Sequence, residues 1–362
     1  MKRILFSLAL LAGSFFTPRA HAQDEVTLDV FYDNLSSQGS WIEVGDYGYC
    51  FQPAVAAENP NWRPYTDGYW AYTDYGWTWV SYEDFGWATY HYGRWTELEN
   101  YGWVWVPGYE WGPAWVSWRT GGDYVGWAPL PPGPGGVSEA RAIDAQADVE
   151  FEIGPAYYNF VDIRYIGAPV LRNRILAPAQ NVTIINTTVN VTNITYKNAT
   201  VYNYGPDFDR VNRFSTTPIQ RLKIHRENAT TLAGPFGHNL NRVKGNQLMV
   251  VAPRIQKAAS VAPPKNVKAK IARPTLEHGW KGVANREQIE AEMKKQSPKS
   301  ILPNERQIPS RQRVRQQPSG AEKSNTRKSE DAEPTEQGTV ARPSQTPRPA
   351  GAQQHHPSPP PP

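Results

Sequence analysis

Aromatic residues at strand spacing are the groups in this sequence with the clearest capacity to engage a ligand. Trp77 and Trp79 lie two apart, as do Trp103 and Trp105. In an extended strand such a pair projects from one face, with the rings about 7 Å apart along the strand. Flat apolar ring faces suit stacking against sugar rings, and nearby acidic side chains can accept hydroxyl hydrogen bonds. The same rings can equally make a core, because a sheet poor in Leu, Ile and Met must bury area through aromatics, about 150–250 Å² each. Thirteen of the 14 tryptophans fall within residues 26–133. That is more than one thin core hides, so some are expected at the surface. Trp77, Trp79, Trp95, Trp103, Trp105, Trp111, Trp115 and Trp118 are the candidate binding residues, with burial as the competing role for each.

Catalytic chemistry finds less support. There is no G-x-S-x-G, no H-E-x-x-H and no phosphate-binding glycine loop. The histidines are scattered, and His91, within Tyr90-His91-Tyr92, reads as a strand residue packed between tyrosines. His355-His356 reads as part of a solvated tail. Glu83-Asp84 is adjacent on a turn, where a solvated acidic loop is the default. Cys50 is the sole cysteine, which excludes an intramolecular disulfide and a CxxC site. It reads as a small packed residue between Tyr49 and Phe51. No catalytic residue, cofactor or metal site is expected.

A recurring turn cue must position the tryptophans. Asp46-Tyr47-Gly48, Asp74-Tyr75-Gly76, Asp84-Phe85-Gly86, Asn100-Tyr101-Gly102 and Asp123-Tyr124-Val125-Gly126 are each followed by an aromatic residue. Asp or Asn starts a turn through its side chain, and Gly supplies the positive φ that closes a hairpin or bulge. Short strands between such turns predict an antiparallel meander of Trp/Tyr-rich hairpin repeats over 23–135. A second β-rich segment and connector is expected over 136–253. There Tyr157–Val161 and the β-branched runs at Asn181–Ile185, Asn190–Thr192, Asn193–Thr195 and Thr200–Tyr202 favour short strands. The Asn-X-Thr runs beginning at Asn181 read as a polar strand face. Residues 254–362, rich in Pro, Gln, Ser, Lys and Arg, are expected to be a basic disordered tail. One helical exception is Arg286–Lys295, where Ile289 and Met293 share a face. The fold class is therefore mainly β with a disordered C-terminal tail.

The first 22 residues read as a cleavable signal peptide: a basic start, an apolar run of about 13 residues and an Ala20-His21-Ala22 cleavage site. The run is shorter than the roughly 20 residues of a spanning helix. Export to the periplasm, cell surface or medium is the expectation, without a transmembrane span. The net charge of +4 hides an asymmetry. Residues 24–135 carry −12, with Arg63, Arg94 and Arg119 their only bases, whereas 136–253 carry +3 and 254–362 carry +10. An acidic body repels phosphate, so specific nucleic-acid binding is not expected on that face. The basic tail is suited to anionic surfaces, or to folding back onto the body.

The order of Trp62-Arg63-Pro64-Tyr65, Tyr75-Gly76-Trp77-Thr78-Trp79-Val80, Tyr90-His91-Tyr92-Gly93-Arg94-Trp95, Gly102-Trp103-Val104-Trp105-Val106-Pro107-Gly108, Trp111-Gly112-Pro113-Ala114-Trp115 and Val125-Gly126-Trp127-Ala128-Pro129 resembles a known family. It is that of exported bacterial proteins with YxWGxW-type aromatic repeats, a domain of unknown function in chains often called proline-rich exported proteins. The resemblance spans roughly residues 30–230 and implies export from a Gram-negative bacterium. It implies no activity and carries over no functional residue. Together these readings predict a non-enzymatic envelope or extracellular binding module for a glycan, an envelope polymer or another anionic polymer. The alternative is a structural scaffold that recruits a partner protein through the basic tail. An envelope hydrolase ranks behind both.

Overall fold

The computed structural model describes residues 25–137, 141–227 and 241–296, so the signal-peptide expectation lies outside the described residues. The chain divides into Met1–Ile308 and Pro309–Pro362, and every described residue belongs to the first unit.

In chain order the strands are β1 (Glu25–Val26), β2 (Gly39–Val44), β3 (Gly48–Pro53), β4 (Gly68–Thr73), β5 (Gly76–Ser81), β6 (Arg94–Leu98), β7 (Gly102–Val106), β8 (Val116–Gly121), β9 (Tyr124–Pro129), β10 (Asn159–Asp162), β11 (Val189–Asn190), β12 (Ile194–Lys197), β13 (Thr200–Asn203), β14 (Arg221–Glu227), β15 (Arg242–Lys244), β16 (Gln247–Val251), β17 (Arg254–Ile255), β18 (Val267–Ile271) and β19 (Leu276–Glu277). The helices are short: α1 (Asp29–Leu35), α2 (Ala54–Glu58), α3 (Gly86–Thr89), α4 (Ala147–Glu150), α5 (Asn181–Ile185), α6 (Phe208–Phe214) and α7 (Arg286–Lys295).

The chain is mainly β, and four of the five turn cues mark antiparallel hairpins: β2–β3, β4–β5, β6–β7 and β8–β9. Gly76 and Gly102 take φ of 87° and 76°, the left-handed backbone that the cue predicts. The cue at Asp84 differs, because Phe85 stays helical and opens α3. The hairpins also do not form one continuous meander. They sort into a six-stranded sheet β18-β2-β3-β7-β6-β19, a seven-stranded sheet β12-β13-β5-β4-β14-β16-β15 and a four-stranded sheet β10-β9-β8-β11.

A shared register explains the tryptophan pattern. Each hairpin sets aromatic residues directly across its two strands: Trp41 faces Phe51, Trp70 faces Trp79 and Tyr72 faces Trp77, Trp95 faces Trp105, and Trp118 faces Trp127. Cross-strand partners project from the same side of a sheet. Pairs from different sheets then meet, with Trp70 and Trp118 at 4.4 Å and Trp79 and Trp127 at 6.3 Å between ring centroids.

The segment after residue 136 completes the sheets that the hairpins begin. β10 and β11 flank the β8–β9 hairpin, β13 joins β5 at Asn203–Gly76, and β14 runs parallel to β4. Asn181–Ile185 is helical rather than extended; its Asn181 side chain is buried and donates to the carbonyls of Pro155 and Tyr158. These local bonds outweigh the β preference of Val182, Ile184 and Ile185.

The boundary drawn at residue 254 is also displaced. β17 pairs with β1, β18 lies parallel to β2, and β19 pairs with β6. Opposite charge accompanies the fold-back, since Lys265 bonds Asp33 and Lys270 bonds Glu43, both at 2.9 Å. Helix α7 covers the expected span, with Ile289 and Met293 buried. Residues 297–362, the remainder of the expected tail, lie outside the described residues. No helix among the described residues is long and apolar enough to cross a membrane.

Candidate functional site

The eight candidate tryptophans are all buried, none more than 6% exposed. Most have a partner for the indole N–H as well as for the ring. Trp77 donates to the Pro206 carbonyl, Trp95 to Thr89, Trp105 to Tyr92, Trp115 to His91 and Trp118 to the Asn203 side chain. Trp79 packs on Trp70 at 5.0 Å, Trp103 on Tyr157 at 4.6 Å, and Trp111 stacks on His91 at 5.2 Å. The expected tryptophan platform is therefore not formed by these residues. Three sheets enclose a wide aromatic core, and chain beyond residue 136 covers what a single thin sheet would leave exposed.

His91 is part of that core. The Asn241 side chain lies 3.0 Å from its Nε2, and its Nδ1 lies 2.9 Å from the Gly112 carbonyl. Asn Nδ2 can only donate, so Nε2 accepts and Nδ1 carries the proton. Burial lowers the imidazole to about 4, which holds it neutral. Cys50 is fully buried, and desolvation pushes its thiol up to about 12.

A polar network crosses the core at β8. Arg119 is fully buried and bonds the Asp148 carboxylate at 2.5 Å, the Thr188 hydroxyl at 3.2 Å and the Thr188 carbonyl at 2.6 Å. Asp148 also accepts from Ser117 at 2.8 Å and from the Tyr158 hydroxyl. The Asn190 amide donates to Ser117. Ser117, Arg119 and Asp148 are nearly inaccessible, and each polar group bonds another. The arrangement ties β8 to α4, to Tyr158 just before β10 and to β11, and presents no nucleophile to solvent. Among the described residues no cluster of His, Cys, Asp and Glu could hold a metal ion.

The accessible aromatic site lies elsewhere, on residues that the sequence reading did not select. Tyr202 and Tyr204, two apart at the end of β13, have nearly parallel rings 5.8 Å apart. Tyr75, in the β4–β5 turn, lies parallel to Tyr202 at 5.6 Å. Tyr204 is 40% exposed, and Tyr75 and Tyr202 are half-buried. Trp111 closes the inner end of this ladder, edge-on to Tyr75 at 5.8 Å. The i, i+2 spacing of Tyr202 and Tyr204 was visible in sequence. Their pairing with Tyr75, 127 residues earlier, required the β13–β5 contact.

Basic side chains line β14 and β15 of the same sheet. Along β14 the side chains of Arg221, Lys223 and His225 are exposed, and Leu222 between them is buried. Register aligns Lys223 with Gln247 and Lys244, and His225 with Met249 and Arg242, across β14, β16 and β15. Arg221 lies 5.5 Å from the Tyr72 ring and Arg226 5.8 Å from the Tyr75 ring, which brings positive charge to the tyrosines. Arg242 is paired with Glu227 and Arg221 with Asp209, whereas Lys223 and Lys244 form no ion pair among the described residues. Burial raises the Tyr72 hydroxyl above its ordinary range, and Arg221 opposes that shift.

Residues 32–134 match the model of a family of unknown function, DUF6600. The match covers the four hairpins and Tyr75 but ends before Tyr202, Tyr204 and the cationic strands. No curated protein and no solved structure matches the chain.

Proposed function

We propose that this chain is an exported, non-enzymatic binding module of the bacterial envelope or extracellular space, and that it holds an anionic glycan on its seven-stranded sheet. The observation that carries this reading is the partly exposed Tyr75–Tyr202–Tyr204 ladder, with Arg226 5.8 Å from the Tyr75 ring, on the sheet that also carries Lys223 and Lys244. Tyrosine supplies an apolar ring for a sugar face and a hydroxyl for its rim. Lysines at a sheet surface that form no ion pair among the described residues supply long-range attraction for carboxylate or phosphate groups along a polymer. The candidate ligand class thus follows the sequence expectation, but the residues that would hold it are tyrosines and lysines instead of tryptophans. Export is part of the proposal through the charged, apolar and Ala-x-Ala pattern of residues 1–22.

The test is affinity electrophoresis and calorimetry of the purified chain against neutral and uronic-acid polysaccharides. Binding is expected for the acidic polymers, weakening as salt rises. Tyr202→Ala with Tyr204→Ala should weaken it at least tenfold, and Lys223→Gln with Lys244→Gln should reduce its salt dependence. Failure of every acidic polysaccharide to bind, or binding indifferent to both double variants, would end this reading.

A further inference from the structure

All three basic residues of the acidic segment 24–135 are drawn inward, and among the described residues only Arg119 is matched by a carboxylate, that of Asp148. Arg63 is half-buried and donates to the Tyr158 carbonyl at 2.9 Å. Arg94 is only 7% exposed, and among the described residues no carboxylate pairs with it. Its Nη1 donates to the carbonyl of its own neighbour Gly93 at 2.8 Å. The guanidinium carbon lies 3.7 Å from the centroid of the Trp115 ring. Burial lowers its pKa to about 9, so the group is still a cation at neutral pH.

The backbone fixes where this cation sits. Gly93 has φ of 70°, and a Cβ there would meet the Val106 carbonyl oxygen at 2.1 Å. A Cβ on Gly108 would meet the Gly93 backbone at 2.7 Å. The two glycines let the chain segments touch, and β6 starts directly from that contact with Arg94. Trp115 then takes one face of the guanidinium. Stacking uses the face and leaves the in-plane edge, where a guanidinium carries its forked N–H donors. One of five donors is used by the described protein.

We propose that Arg94 is the receptor of an oxyanion site, which takes a carboxylate or a phosphoryl group in the plane of its guanidinium. An incoming anion compensates the charge that Arg94 carries into the protein. Planar two-oxygen ligands match the fork best, which favours them over a spherical halide. This site is independent of the tyrosine ladder.

The test uses the full chain, labelled with ¹⁵N-arginine, titrated with inorganic phosphate, acetate and chloride at constant ionic strength. A saturable shift of the Arg94 Nε–H resonance is expected with phosphate, acetate or both, and no saturation with chloride. The phosphate and acetate arms tell a phosphoryl ligand from a carboxylate one. Arg94→Lys, which keeps the charge but loses the fork, should weaken calorimetric binding at least tenfold. Arg94→Gln, which removes the charge, should abolish it. Tyr202→Ala with Tyr204→Ala should leave it unchanged. No saturable Arg94 shift with either oxyanion, or equal binding by wild type and by a folded Arg94→Lys variant, would overturn the proposal. If neither Arg94 variant folds, the wild-type titration decides the matter.

Discussion

Trp70 and Trp118 sit with their ring centroids 4.4 Å apart, although they belong to hairpins in different sheets. Each is also paired in register with a second tryptophan on its own hairpin, Trp79 and Trp127. The contact joins two copies of one sequence motif through their buried faces, so the repeat acts as a packing device. Repetition of the hairpin multiplies inward-facing indoles, and sheet-on-sheet packing consumes them.

Removing one of these rings should therefore cost stability before it costs binding. Trp118→Ala is expected to destabilise the chain by about 3–5 kcal/mol, the range for a fully buried aromatic. Urea unfolding followed by far-ultraviolet dichroism measures this. A variant as stable as wild type would contradict the core position of Trp118.

The buried Arg119–Asp148 pair makes a second prediction. Asp148→Asn alone leaves a buried guanidinium without its counter-charge and should cost about 3–5 kcal/mol. Arg119→Met combined with Asp148→Asn should cost clearly less than the two single changes added together, because no unpaired charge is left. A double-mutant cycle in urea reads the difference, and strict additivity would show that the two residues are not coupled.

His91 predicts acid sensitivity of a definite sign. Its folded value of about 4 lies below the ordinary 6.5, mainly through burial, so the unfolded chain binds the proton more strongly. The stability linked to His91 is complete above pH 6.5 and is lost as pH falls toward and through 4. Melting temperatures between pH 7 and pH 4 should fall less steeply in a folded His91→Gln variant than in wild type. Parallel profiles would remove His91 from the acid response.

Truncation tests the fold-back of the basic segment. A chain ended at residue 253 loses β17, β18, β19 and α7, and uncovers the edges of β2 and β6. It should bind a hydrophobic dye and melt lower than a chain ended at residue 296, which retains these elements. Equal melting temperatures would mean that 254–296 contribute nothing to stability.

Much of this architecture is written locally. The Asp/Asn-aromatic-Gly cue sets the turns at Gly76 and Gly102 because only a residue without Cβ takes those φ values cheaply. Two-residue alternation puts Trp77 and Trp79 on one face, and the spacing of Ile289 and Met293 makes the buried stripe of α7. The mainly β class follows from these short-range rules. The competition between Asn181 and the β-branched residues around it was less legible, since the carbonyls of Pro155 and Tyr158 that hold Asn181 lie more than 20 residues away.

Composition and spacing alone determined that this chain would be a repeat of tryptophan-rich hairpins with an acidic body and a basic C-terminal part. Whether those tryptophans face water was decided by tertiary structure alone. Strand periodicity says that two rings share a face, but burial depends on what lies over that face. Here other sheets, Pro206, Asn203 and Tyr157 lie over it. The same long-range packing assembled the tyrosine ladder from Tyr75 and Tyr202, and left Arg94 a buried cation beside Trp115 with no acid among the described residues to match it.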